Sequence, residues 1–87
     1  MEANKDQYEV IAYPNPYSDS FNLEVTTTSE SQIEIKVYDM MGRLVDSKTT
    51  SASEVTSLSL GNSYSSGVYN VIITQGNNTT TQRIVRR

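Results

Sequence analysis

Apolar residues recur at every second position, in short runs cut by turn formers, and no stretch carries them at helical spacing. Phe21, Leu23 and Val25 alternate with Asn22, Glu24 and Thr26, and Ile33, Ile35 and Val37 alternate with Glu34, Lys36 and Tyr38. Successive side chains of a strand point to opposite faces, so each run makes a strand with one buried and one wet face. Such strands are stable only when their apolar faces cover one another. Seven are expected, at 8–13, 20–27, 32–39, 44–48, 54–60 and in a hairpin from Gly67 to the end of the sequence. Between them, 49–53 reads as a loop, as does 61–66. This predicts an all-β, Greek-key sandwich of about seven antiparallel strands, with an up-and-down barrel as the runner-up.

Turn chemistry sharpens the pattern. Tyr13-Pro14-Asn15-Pro16-Tyr17 ends the first strand, because proline fixes φ and donates no ladder bond. Asp39-Met40-Met41-Gly42 fits a type I turn with a glycine bulge. That turn predicts Tyr38 opposite Leu44, Val37 opposite Val45, Lys36 opposite Asp46 and Glu34 opposite Lys48. The valines would then meet on the core face and both ion pairs in solvent.

The final hairpin opens at Gly67 and carries Tyr69, Val71 and Ile73 on its expected core face. A turn at Asn77-Asn78 pairs Val71 with Ile84, whereas a turn at Gly76-Asn77 pairs Tyr69 with Ile84; the residues fit both. Its last strand is hydrophobic, Ile84-Val85, and basic, with Arg83, Arg86 and Arg87. All ten acidic residues lie at or before Glu54, so the charge is lopsided. The arginines read either as solvation of an edge strand or as an electropositive address label.

At 87 residues the chain makes one domain. Residues 1–7 read as a polar linker or an expression remnant, and 8–87 as the domain. No run approaches the roughly 20 apolar residues of a membrane-spanning helix, so no integral membrane segment is expected. The polar start is no signal peptide, so the chain is either cytosolic or follows an export signal upstream. A net charge of -3 argues against nucleic acid as a partner.

Catalysis is not expected. The chain has no His and no Cys, which removes the usual nucleophile–base pairs. No cofactor is expected, and no metal site is assigned, Asp19 being the best single candidate for a calcium ligand. Six tyrosines leave a carbohydrate-binding platform as an alternative.

Taken together, Tyr13-Pro14-Asn15-Pro16-Tyr17 with Phe21 and Leu23, Ile35-Lys36-Val37-Tyr38-Asp39 with Gly42-Arg43-Leu44-Val45, and Ser66-Gly67-Val68-Tyr69 with the basic terminal strand resemble a known family. The chain is similar, from about Tyr8 to Arg87, to the type A C-terminal sorting domains of the type IX, or Por, secretion system of Gram-negative bacteria. That family's final motif usually carries lysine where this chain has Arg83 and Arg86.

The resemblance implies an immunoglobulin-like sandwich that acts as a secretion signal for a covalently linked upstream cargo. The cargo would pass through the periplasm and be recognised by the outer-membrane translocon or its shuttle. A sorting peptidase would then remove the domain, leaving the cargo at the cell surface or in the medium. It assigns recognition to Gly67, Tyr69, Arg83, Ile84, Val85, Arg86 and Arg87, and structural roles to Tyr13, Pro14, Asn15, Pro16, Asp39 and Gly42. An accessory binding sandwich on a secreted hydrolase or adhesin is the alternative function. A weak or strand-exchanged dimer is expected from the hydrophobic edges.

Overall fold

The computed structural model describes residues 7–52 and 55–87. It contains β1 (Tyr8–Tyr13), β2 (Phe21–Thr27), β3 (Ile33–Asp39), β4 (Leu44–Thr50), β5 (Val55–Leu60), β6 (Gly67–Gln75) and β7 (Asn78–Arg86). They form two antiparallel sheets, β1-β2-β5 and β4-β3-β6-β7. Two separate sheets replace the barrel alternative with the sandwich.

Period-2 alternation explains the core. Phe21, Leu23 and Val25 from one sheet meet Ile33, Ile35, Val37, Tyr69, Val71, Ile73 and Ile84 from the other, all buried. β5 contributes Leu60 and, more shallowly, Leu58, with buried Thr56 two positions before it. The imperfect apolar alternation of β5 therefore reflects a threonine at an inward position. The expected start of this strand at Glu54 lies outside the described residues, as does Ser53.

Thr49 and Thr50 belong to β4, where they pair with Glu34 and Ile33 instead of forming a loop. The β3–β4 register departs from expectation by one residue. Tyr38 faces Leu44 as anticipated, but the register then shifts and Val37 faces Asp46, Lys36 faces Ser47 and Glu34 faces Thr49. The two predicted cross-strand ion pairs and the valine pair are therefore not made. Val45 is the extra residue of a bulge and is 40% exposed. Asp46 turns inward because the Tyr64 hydroxyl donates to its Oδ2 at 2.9 Å, a bond that a valine could not accept. Lys36 instead reaches Glu34 on its own strand, at 4.0 Å.

The turn itself is as the sequence predicts. The Met41 and Arg43 amides donate to Asp39 Oδ1 at 2.9 and 3.0 Å, and Gly42 has φ +83°. The terminal hairpin takes the Gly76-Asn77 register, with Tyr69 opposite Ile84. Gln75 explains this choice. Buried at the hairpin tip, its amide donates to the Ser29 and Ser31 carbonyls while its oxygen accepts from the Thr27 hydroxyl. All of its strong polar groups are then satisfied inside the sandwich.

The first described residue, Gln7, and the last, Arg87, lie at opposite poles. The Gln7 carbonyl accepts from the Thr28 amide and the Tyr8 hydroxyl reaches the Ile73 carbonyl, beside the hairpin tip. Arg87 lies beside Ser66 and Tyr17, past Gly67 at the other end of β6. Eight residue steps along β6 place these poles about 26 Å apart.

Candidate functional site

The last strand is fastened on both of its edges. One edge pairs with β6 from Gln75 opposite Asn78 to Gly67 opposite Arg86. The other is closed along its final residues by the loop that follows β1. Alternate residues of a strand send both N–H and C=O to the same side, and here Arg83, Val85 and Arg87 face that loop. Asn15 stands in for a strand residue with its side chain: its Nδ2 donates to the Arg83 carbonyl at 2.7 Å, and its Oδ1 accepts from the Val85 amide at 2.9 Å. Tyr17 continues the pairing with its backbone, donating to the Val85 carbonyl at 2.8 Å and accepting from the Arg87 amide at 2.9 Å. Both flanking peptide bonds, Tyr13-Pro14 and Asn15-Pro16, are cis. The prolines carry no amide donors, so the side chain between them makes the contacts.

Tyr17 is also the anchor below this clasp. It is 1% exposed, packs against Phe21 and donates its hydroxyl to the Gly61 carbonyl at 2.9 Å. Burial raises its phenol above the ordinary range, opposed by the nearby Arg86 guanidinium. Gly61 is required there: its φ is +87°, and a Cβ would collide with the Tyr17 hydroxyl.

The three arginines divide into two kinds. Arg86 is turned back into the domain. Its Nη1 donates to the Asp19 and Gly61 carbonyls at 3.0 and 2.7 Å, and its guanidinium lies over the Tyr17 ring at 5.4 Å. The bond to Asp19 is to its main-chain carbonyl, and no group of three or more acids that could hold a metal ion forms among the described residues. Arg83 and Arg87 are exposed, and no ion pair involves them among the described residues. Two-residue periodicity puts both, with half-buried Val85 between them, on the outer face of the sheet. Ile84 points the opposite way and is 0% exposed.

Gly67 and Tyr69 shape the pole where this strand ends. Gly67 has φ +155°, a conformation open to glycine and costly for other residues. Tyr69 donates to the Ser65 carbonyl at 2.6 Å and its ring packs on Tyr64 at 5.1 Å. Burial and the Asp46 carboxylate push the Tyr64 phenol far above its ordinary range, so it stays a hydrogen-bond donor. The Ser66 hydroxyl donates to the Arg87 carbonyl at 2.8 Å. A groove of about 650 Å³ opens beside this pole between the β3–β4 turn and the 63–66 loop, with Met41, Val45, Tyr64, Gly67 and Val68 in its walls.

The sequence names Gly67, Tyr69 and residues 83–87 as recognition residues of the terminal hairpin, and the structure gathers them toward one end of it, Gly67 opposite Arg86 and Tyr69 opposite Ile84. Sequence reasoning named Asn15 only as part of a turn motif and missed Gly61. Pro-Asn-Pro was the available signal for Asn15, because a polar side chain between two non-donors must satisfy neighbouring backbone. Gly61 gave no signal beyond its glycine, since its partner Tyr17 is 44 residues away. Of the six tyrosines, Tyr17, Tyr64 and Tyr69 are buried, Tyr8 and Tyr38 are half-buried and Tyr13 is exposed; the Tyr8 and Tyr13 hydroxyls donate to the Ile73 carbonyl and to Glu24.

A family model described as a secretion system C-terminal sorting domain matches residues 11–87. Among solved structures, the crystal structure of dimeric latent PorU from Porphyromonas gingivalis is similar, with a TM-score of 0.71 and 19% sequence identity. The match takes in 97% of this chain and 10% of that one. At this identity the likeness is one of fold, a β-sandwich. No curated protein sequence matches.

Proposed function

Because the chain belongs to the family of secretion-system C-terminal sorting domains, the C-terminal signals of type IX secretion, we propose that residues 8–87 are the signal and that the exposed arginines of β7 are its contact surface. Domains of this family act with the type IX machinery and its sorting peptidase, direct export to the cell surface or extracellular space, and are generally not catalytic. The covalently linked cargo precedes Gln7, passes through the periplasm, and is freed by cleavage within or before residues 1–7.

The observation that carries this reading is the split among the arginines. A strand whose core residue is Ile84 and whose edge is held by Asn15 and Tyr17 presents Arg83 and Arg87 outward in a fixed geometry. Gly67, Tyr69, Ile84 and Arg86 hold that geometry; Arg83, Val85 and Arg87 are what a partner meets. Exposed charges add little to folding stability, so removing them tests recognition without unfolding the domain.

The experiment appends the 87-residue chain to a periplasmically exported fluorescent protein in a type IX-competent strain. Processed fluorophore should reach the surface or medium. The double change Arg83→Ala with Arg87→Ala should leave it in the periplasm with the domain attached, while the purified double variant melts within a few degrees of the original. Full export of that double variant would remove the arginines from the proposal. Fluorophore that stays in the periplasm behind the unaltered domain would favour an accessory binding role instead.

A further inference from the structure

The clasp covers only part of the outward edge of β7. The parity that sends Arg83, Val85 and Arg87 toward the loop also sends the N–H and C=O of Thr79 and Thr81, and the N–H of Arg83, outward. None of these five groups has a hydrogen-bond partner within the described structure. Thr79, Thr81 and Arg83 are all exposed. The stretch 79–82 is Thr-Thr-Thr-Gln, with no proline, no charge and no bulge. Those are the features that natural proteins use to blunt an open edge.

The opposite edge of the same sheet is blunted. β4 carries a bulge at Val45 and an inward Asp46 whose Oδ1 accepts from the Ser47 amide at 2.8 Å. Lys48 is exposed beside it. A guarded β4 and an unguarded β7 make the sheet asymmetric toward strand addition.

From this we infer that the edge of β7 between Thr79 and Arg83 is a strand-addition site for an extended, acidic segment of a partner protein. The inference rests on the sorting-signal reading above and specifies how the partner engages. Main-chain bonds to Thr79, Thr81 and Arg83 supply affinity, as in other β-augmented complexes. Charge selects the occupant: no acidic residue occurs after Glu54, and neither Arg83 on β7 nor Arg87 just past its end makes an ion pair among the described residues. A carboxylate at the partner position across from Arg83 lies on the same outer face and meets its guanidinium. The clasp at Asn15 and Tyr17 sets the far limit of this site, stopping the added strand before Val85.

The test uses the unaltered 87-residue chain and an eight-residue peptide alternating valine and glutamate, with a valine–lysine peptide as control. Amide exchange at Thr79, Thr81 and Arg83 should slow about tenfold in the first peptide and stay unchanged in the second. No slowing at these amides, or equal slowing by the lysine peptide, overturns the inference. In the export assay, Thr81→Pro removes an outward amide without touching the β6 ladder, and should cut export roughly tenfold while Thr81→Val leaves it intact. Normal export by T81P, from a domain that otherwise exports its cargo, also overturns the inference. A T81P variant that melts well below the original domain is replaced by T79P, read the same way. If the unaltered domain does not export cargo at all, the sorting reading fails while the peptide result still decides the edge.

Discussion

Gly61 sits under the Tyr17 ring with a backbone that side chains rarely adopt, so a single methyl group there has two costs. Gly61→Ala must relieve both the positive φ and the collision with the Tyr17 hydroxyl, at about 3 kcal/mol in all. Thermal melting should fall by more than about 10 °C; an unchanged melting temperature would mean that Tyr17 does not need this seat. Asn15→Ala acts differently, exposing one amide and one carbonyl of β7 at the surface. The loss should be about 1–2 kcal/mol, and exchange at the Val85 amide should speed up before exchange at the Ile84 amide, which faces β6. Equal exchange at both would argue against the side chain as a stand-in strand.

At the scale of the element, the β3–β4 hairpin depends on one carboxylate. The Arg43 amide bond to Asp39 is the main cause holding its carboxyl below the usual range, helped by the Arg43 guanidinium and the Met41 amide and opposed by burial. A folded-state value below the unfolded one stabilises the turn above about pH 4 and loses that stabilisation as pH falls through the folded value. Protection of the Met41 and Arg43 amides, taken relative to the intrinsic exchange rate at each pH, should therefore fall on acidification, and Asp39→Asn should abolish that pH dependence. Most of this architecture was legible in the residues, because alternation specifies faces and turn formers specify where strands stop. Phe21, Leu23, Val25, Ile33, Ile35 and Val37 all lie in the core as their spacing requires. The β3–β4 register was not legible, because Asp46 answers a hydroxyl from Tyr64, 18 positions along the chain. The terminal register was settled by Gln75, a polar residue whose burial depends on carbonyls in the β2–β3 connection. Local pattern carries no information about such distant partners.

At the scale of the molecule, Gln7 and the terminal arginines occupy different poles, so under the proposed function a cargo joined ahead of Gln7 should leave Arg83 and Arg87 open to a partner. Association between copies should be weak, since β4 is blunted and the clasp leaves just the short stretch 79–83 of the β7 edge open. Sedimentation is expected to show a monomer with a minor dimer that grows with concentration, and Asn15→Ala should raise the dimer fraction by opening the clasped edge. A single species at all concentrations in both variants would remove strand exchange from the account.

The placement of the two ends also decides how the domain resists being pulled. Tension applied between Gln7 and Arg87 runs along the axes of β1 and β7, dragging each past its neighbour. The β1–β2 and β6–β7 ladders are then loaded in shear, and their hydrogen bonds must yield together. Tension between Ser66 and Arg87, which adjoin at one pole, opens the last hairpin one bond at a time. Single-molecule stretching should need distinctly more force in the first geometry than in the second. A cargo hauled by its own end would thus drag behind it a tail built to stay folded.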